Sequence, residues 1–184
     1  MAKLNVFNFI TVNGFYKGAN EDISWHKHDD PEASQFAADS STSGGMLLFG
    51  RVTYEMMASF WPTPAAAEAY PEVAKGMNSM EKIVFSNTLK SVEWENSRIV
   101  NGDIAAEVRK MKEGEKDMTI LGSGSIISQL SDARLIDSYM LMMDPLVLGQ
   151  GTPLFKGIKN KMDFELADWK KFKSGSLLLT YKPR

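Results

Sequence analysis

The sequence predicts an α/β fold in which a largely parallel sheet ends in an antiparallel edge. Three observations lead there. Short apolar runs alternate with helical patterns as far as Ala133, and only strand-like segments follow. The run Met46 to Phe49 is apolar throughout, as expected of a strand covered on both faces. The tail from Phe164 to Tyr181 reads as two strands around a turn at Lys173 to Gly175. No repeat, low-complexity tract or linker interrupts the chain, so a single domain over residues 1–184 is expected.

Each element has a local cause. Leu4 to Val12 is rich in Val, Ile and Phe and reads as a strand. Asn13 to Asp29 reads as a loop, with Gly14 and Gly18 as breakers. Asp30-Pro31-Glu32 starts a helix: Asp caps, Pro fits the first turn, and Glu suits the positive end. Ala33, Phe36 and Ala37 share one face of it, and Gly44-Gly45 ends it. After the strand Met46 to Phe49, Gly50 turns the chain into a helix from Arg51 to about Phe60, stopped by Pro62. Thr63 to Met80 is Ala-rich and helical in parts, punctuated by Pro64 and Pro71, and open to a reading as a lid. Lys82 to Phe85 is a strand, and Val92 to Val100 holds one or two weaker ones. Asp103 caps a helix to Lys112 whose stripe is Ile104, Val108 and Met111, and Gly114 ends it. Met118 to Leu121 is a strand, Gly122 to Ser125 a turn, and Ile126 to Ala133 a helix. Ile136 to Leu148 is strand-like, broken at Asp144-Pro145, and Phe164 to Tyr181 forms the closing pair.

Composition narrows the function. Hydrophobic residues make up 43% and charged residues 24% of the 184, which is globular rather than disordered. The net charge is -2, too weak a field for a general binder of nucleic acid or anionic membranes. The chain has no cysteine, which removes disulfides, thiolate metal sites and thiol nucleophiles. No apolar run approaches the roughly 20 residues of a membrane span, and no signal-peptide pattern opens the chain. A cytoplasmic location is the expectation.

Three segments look chemical. In Met118-Thr-Ile-Leu-Gly122-Ser123-Gly124-Ser125 a strand runs through glycines into a helix start. Such a turn can cradle a phosphate with free N–H groups and the helix dipole, or it can be only a tight turn with a serine cap. It is a poor Rossmann fingerprint, because Ile127 takes the third glycine position and the turn comes late. In Leu48-Phe49-Gly50-Arg51-Val52-Thr53 a strand again meets a helix start. Arg51 sits where the helix dipole disfavours a cation, which points to an anionic partner, or else to an exposed surface Arg. In Lys82-Ile-Val-Phe85-Ser86-Asn87-Thr88 a strand ends in small hydrogen-bonding residues, at the kind of strand end where open α/β sheets bind ligands.

In this order, the segments resemble the dihydrofolate-reductase-like superfamily. They are closer still to the C-terminal reductase domain of the riboflavin-pathway bifunctional deaminase-reductases and their stand-alone relatives. Thr11-Val12-Asn13-Gly14-Phe15, Leu135-Ile-Asp137 and Pro145-Leu-Val-Leu-Gly149-Gln-Gly-Thr-Pro-Leu-Phe155 also fit, so the resemblance spans essentially the whole chain.

The resemblance implies a three-layer fold with helices on both faces of the sheet, and an NADPH-dependent oxidoreductase. It places the adenosine 2′-phosphate at Gly50, Arg51, Val52 and Thr53, and the adenine-ribose side at Ser86, Asn87 and Thr88. It places the pyrophosphate at Gly122, Ser123, Gly124, Ser125 and Ile126, and the nicotinamide near Val12 and Asn13. Relatives often carry Asp where this chain has Asn13, so an acidic role there is lost. Glu32 precedes Phe36 by the spacing of the folate-reductase carboxylate, although its surroundings match poorly. The implied reaction is hydride transfer to a C=N or C=O carbon of a small heterocycle or ribosylamine, with Glu32, Asp30 or a water delivering the proton. The deaminase signature is absent.

His26-Lys27-His28-Asp29-Asp30 offers imidazoles and carboxylates to a metal. Lys27 intervenes and further ligands are not evident, so the segment is read as a border of the substrate cleft, with Trp25 and Phe36 as apolar walls and no metal. Tyr139-Met-Leu-Met-Met143 reads as a core strand, part of which could face the interface of a homodimer, because relatives are commonly homodimers. Two other readings stay open: a nucleotide-binding protein without turnover, and a structural dimeric module.

Overall fold

The computed structural model describes residues 1–26, 30–42 and 45–184. Its centre is an eight-stranded sheet in the order β5-β4-β3-β6-β1-β7-β10-β9. The parallel strands are β1 (Leu4–Thr11), β3 (Met46–Gly50), β4 (Glu81–Phe85), β5 (Ser97–Val100), β6 (Met118–Leu121) and β7 (Ser138–Asp144). The last two, β9 (Phe164–Lys171) and β10 (Leu177–Pro183), form the expected antiparallel hairpin against β7.

Strand alternation divides the core into two layers. Val6, Leu48 and Ile120 lie side by side in the register and face one way. They meet Ile126, Ile127 and Leu130 of α6 (Gly124–Asp132) and Val108 of α5 (Ile104–Lys112). Leu47 and Phe49 face the other way, against Tyr54 of α2 (Arg51–Ala58) and Met77 of α4 (Pro71–Ser79). On that same side Phe7, Phe9 and Met142 pack with Phe36 of α1 (Pro31–Thr42), Phe172 and Leu178. The Ala-rich stretch divides at Tyr70 into α3 (Pro64–Ala69) and α4, each opened by proline.

The caps follow the sequence. The Asp30 carboxylate accepts from the N–H groups of Glu32 and Ala33 at 3.0 and 3.3 Å, and Asp103 accepts from Ala106 at 3.1 Å. Two short strands add to the predicted elements, the first of them inside the stretch 13–29 that reads as a loop. β2 (Phe15–Gly18) pairs with β8 (Gly151–Pro153) as a separate two-stranded sheet. Neither has an alternating pattern to reveal it. Their closeness explains Gly151, where a Cβ would lie 2.3 Å from the Lys17 carbonyl oxygen. The Met-rich run is the core strand the sequence predicts. As β7 it is paired on both edges, and Tyr139, Leu141 and Met142 are buried in the core.

Lys82, which reads as an ordinary strand residue, is completely buried. Its ammonium donates to the carbonyls of Asn78, Met80 and Glu95 at 3.1, 2.7 and 2.9 Å and lies 4.5 Å from the Trp94 ring centre. It thereby closes the C-terminal end of α4, where a cation is favoured. Burial pushes its pKa down to about 8. The unfolded chain therefore holds this proton between about pH 8 and 10.5 while the folded chain releases it, so stability from this group rises with pH across that window. The span corresponds to about 3 kcal/mol. Denaturant titrations from pH 8 to 10.5 should show this rise in wild type and not in Lys82→Met.

Candidate active site

The ends of β4, β3 and β6 lie side by side in the sheet, so the three glycine- and serine-rich turns that follow them share one edge. The turns are tied to each other. Ser123 Oγ accepts from the Gly50 N–H at 2.8 Å, and the Ser123 N–H donates to Thr53 Oγ1 at 3.1 Å. Gly122 and Ser123 are both left-handed, at φ +61° and +59°. A Cβ on Gly122 would meet Thr53 Cγ2 at 3.0 Å. The predicted serine cap of α6 is therefore a crosslink: the Ser123 side chain serves the β3 turn and does not cap its own helix.

The starts of α2 and α6 converge on a cavity of about 440 Å³. Of the residues the resemblance assigns to the cofactor, Gly50, Arg51, Val52, Thr53, Ser86, Asn87 and Ser123 through Ile126 line it, and Gly122 does not. Thr88 is not in the lining; its N–H donates to Ser86 Oγ at 3.2 Å. Asn87 Oδ1 accepts from Gly102 N at 3.0 Å and ties the β4 turn to the loop before α5. Tyr16, Lys17, Gln129, Thr152 and Lys156 also line the cavity, none of them among the residues the resemblance assigns to the cofactor. The small β2–β8 sheet brings Tyr16, Lys17 and Thr152 there. The Tyr16 hydroxyl accepts from the Gly124 N–H at 3.3 Å, at the first residue of α6.

The charge is one-sided. Lys17, Arg51 and Lys156 are in the lining, and none of the described lining residues is Asp or Glu. Arg51 is not alone, however. Its guanidinium donates to Glu55 Oε2 at 2.8 Å, one turn along α2, so the conflict with the helix dipole is met within the chain. Lys17 is bonded to Glu21. Both acids lie outside the lining.

The residues expected near the substrate and the nicotinamide lie outside this lining. The buried Asp30 carboxylate also accepts from Ser174 N at 2.8 Å. That bond, with those from Ala33 and Glu32, holds its pKa below the usual carboxylate range, so it stays ionised as a structural tie and is not a proton donor near neutrality. Glu32 pairs with Lys170 of β9 at 3.0 Å, with both side chains nearly half exposed. Phe36 packs into the core layer with Phe7 and Phe172. Trp25 donates to the Asp22 carbonyl at 3.2 Å. Asn13 clasps Leu148, donating to its carbonyl at 2.8 Å and accepting from its N–H at 3.3 Å, while Val12 is exposed. None of these six lines the cavity. His26 stacks on Phe9, with ring centres 4.2 Å apart; Lys27, His28 and Asp29 lie outside the described residues. Among the described residues no cluster of three His, Asp or Glu could hold a metal ion, and no helix is long and apolar enough to cross a membrane.

The model of the RibD C-terminal domain matches residues 2–178, nearly the whole chain. The chain belongs to the RibD C-terminal domain family. Among curated proteins, this RibD C-terminal domain chain is 28% identical over 174 residues to the uncharacterized protein YyaP of Bacillus subtilis (strain 168), covering 94% of this chain and 90% of that one. Its fold matches that of a putative riboflavin biosynthesis protein from Shewanella sp. PV-4 with a TM-score of 0.78 at 21% identity, covering 100% and 99% of the two chains. It also matches dihydrofolate reductase from Enterococcus faecalis, solved with NADP(H), with a TM-score of 0.64 at 17% identity over 99% and 96%. The dihydrofolate-reductase-like architecture is thus shared by sheet, hairpin and helices.

Proposed function

We propose that this RibD-type domain is an NADPH-dependent reductase that transfers hydride to a small heterocyclic or ribosylamine substrate. One observation carries the reading. Two helix starts and three cations face one cavity whose described lining has no carboxylate, a donor set suited to a ligand with several phosphates. NADPH supplies a hydride at its nicotinamide when bound. The chain's own part is to bind and orient. The N–H groups at the start of α6 would hold the pyrophosphate, with the Tyr16 hydroxyl giving up Gly124 to it. Arg51 and Thr53 would take the 2′-phosphate, and Ser86 with Asn87 the adenine-ribose. The β1 end, with Val12 and Asn13, would border the nicotinamide. Fixing both reactants and excluding water is the main catalytic contribution expected of such a site.

A second reading, nucleotide binding without turnover, is favoured by one fact: Asp30 is committed to capping and Glu32 to Lys170. Loss of NADPH absorbance separates the two. The reductase reading predicts oxidation that depends on one of the pteridines, folates or pyrimidine ribosylamines. Saturable NADPH binding with no oxidation across that panel would support the second reading.

A further inference from the structure

The cations of the cavity fall into two groups. Arg51 opens α2 beside Thr53. Lys17 and Lys156 stand with α6 instead, and separate anchors put each of them there. Lys17 lies on β2, with its ammonium 5.3 Å from the Tyr16 ring centre. Tyr16 in turn packs on the first residue of α6, since a Cβ on Gly124 would meet its ring and hydroxyl at 3.0–3.1 Å. Lys156 follows β8, and its carbonyl accepts from Ser128 Oγ of α6 at 2.8 Å. The register pairs Lys17 with Thr152, so the small sheet brings both lysines to the cavity from distant parts of the chain.

Cations beside a helix start face the positive end of the dipole and repel each other, unless an anion lies between them. Glu21 offsets this for Lys17, whose side chain is only 17% exposed. Lys156 is exposed and has no carboxylate partner among the described residues. We propose that Lys17 and Lys156 form a clamp for the diphosphate bridge of a dinucleotide, closing on it beside α6 while Arg51 and Thr53 take the phosphate on the ribose. The inference rests on the reading of the cavity as a nucleotide site and adds how its charges are divided. A diphosphate carries its negative charge on two adjacent phosphorus centres, which suits two ammonium groups at one helix start. The α6 lysines then hold any dinucleotide, and the start of α2 distinguishes the one that carries a 2′-phosphate.

Calorimetric titration with NADPH, NADH and adenosine 2′-monophosphate tests the clamp, because the third probe has a 2′-phosphate and no diphosphate. Lys156→Ala should weaken NADPH and NADH by the same factor, about tenfold, as loss of one charge-assisted contact does. It should leave adenosine 2′-monophosphate unchanged. Lys17→Ala should show the same pattern at about threefold, since Glu21 already competes for that ammonium. Lys156→Arg, which keeps the charge, should bind all three probes as wild type does. Wild-type binding of NADPH that is indifferent to both alanine variants overturns the clamp and leaves the cofactor reading standing. A loss confined to NADPH, or one equally large for adenosine 2′-monophosphate, would move the lysines to the 2′-phosphate and overturn it as well. If wild type binds none of the three probes, the cofactor reading itself fails and takes the clamp with it.

Discussion

Arg51→Ala is expected to weaken NADPH binding by about tenfold while changing NADH by less than about twofold. The guanidinium is at the mouth of α2, in the cavity lining, and is nearly half exposed. A charge-assisted bond to a phosphate contributes about 1.5–3 kcal/mol. Part of that is offset, because Arg51 must leave Glu55, an exposed i,i+4 pair of the kind that contributes about 0.3–0.5 kcal/mol. The same geometry predicts that Glu55→Gln tightens NADPH by a few-fold, since it frees the cation and removes a negative charge beside the phosphate. Calorimetric titration of both nucleotides against the three proteins checks this. Equal weakening of NADPH and NADH by Arg51→Ala, or no weakening of either, would remove the 2′-phosphate from this helix.

The second large effect is at Gly122. Gly122→Val should destabilise the fold by about 3 kcal/mol, combining the cost of a β-branched residue at positive φ with overpacking. The backbone there is at φ +61° and the space is closed by Thr53 Cγ2. For a chain of this length the melting temperature should fall by about 10 °C. Because Thr53 is also the acceptor for Ser123 N, pushing it aside disturbs both cradles together. Nucleotide binding should therefore be lost even at temperatures where the variant is folded, as read by circular dichroism and titration on one sample. A variant that is stable and binds normally would mean that the tie between the two turns has no role in the site.

The fold was legible because its signals are local. Proline after Asp30, glycine after Phe49 and the unbroken apolar run at Met46 to Phe49 each act within a few residues. The cavity-lining turns after β3, β4 and β6 were legible for the same reason, since they follow their strands directly in sequence. What escaped was non-local. Tyr16 and Lys17 reach the cavity through a four-residue strand paired with β8, more than 130 residues away, and nothing in Phe-Tyr-Lys-Gly announces that. Ser123 looked like a cap and is a crosslink to Gly50, 73 residues away. Glu32 and Asp30 looked catalytic because helix-start carboxylates carry no mark of their partners. Those partners, Lys170 and Ser174, come from the far end of the chain. Lys82 was hidden by its neighbours, as three carbonyls and an indole face create a buried cation site that no single residue reveals.

The central claim is that the cavity at the starts of α2 and α6 is a site for a dinucleotide with a 2′-phosphate. The most direct measurement is the melting temperature of the purified protein alone, with NADPH and with NADH at equal concentrations. At about 100 times its dissociation constant a ligand adds roughly 2.7 kcal/mol of stability, so a rise of several degrees with NADPH and a smaller one with NADH is the expected result. No rise with either nucleotide would contradict the assignment of the cavity.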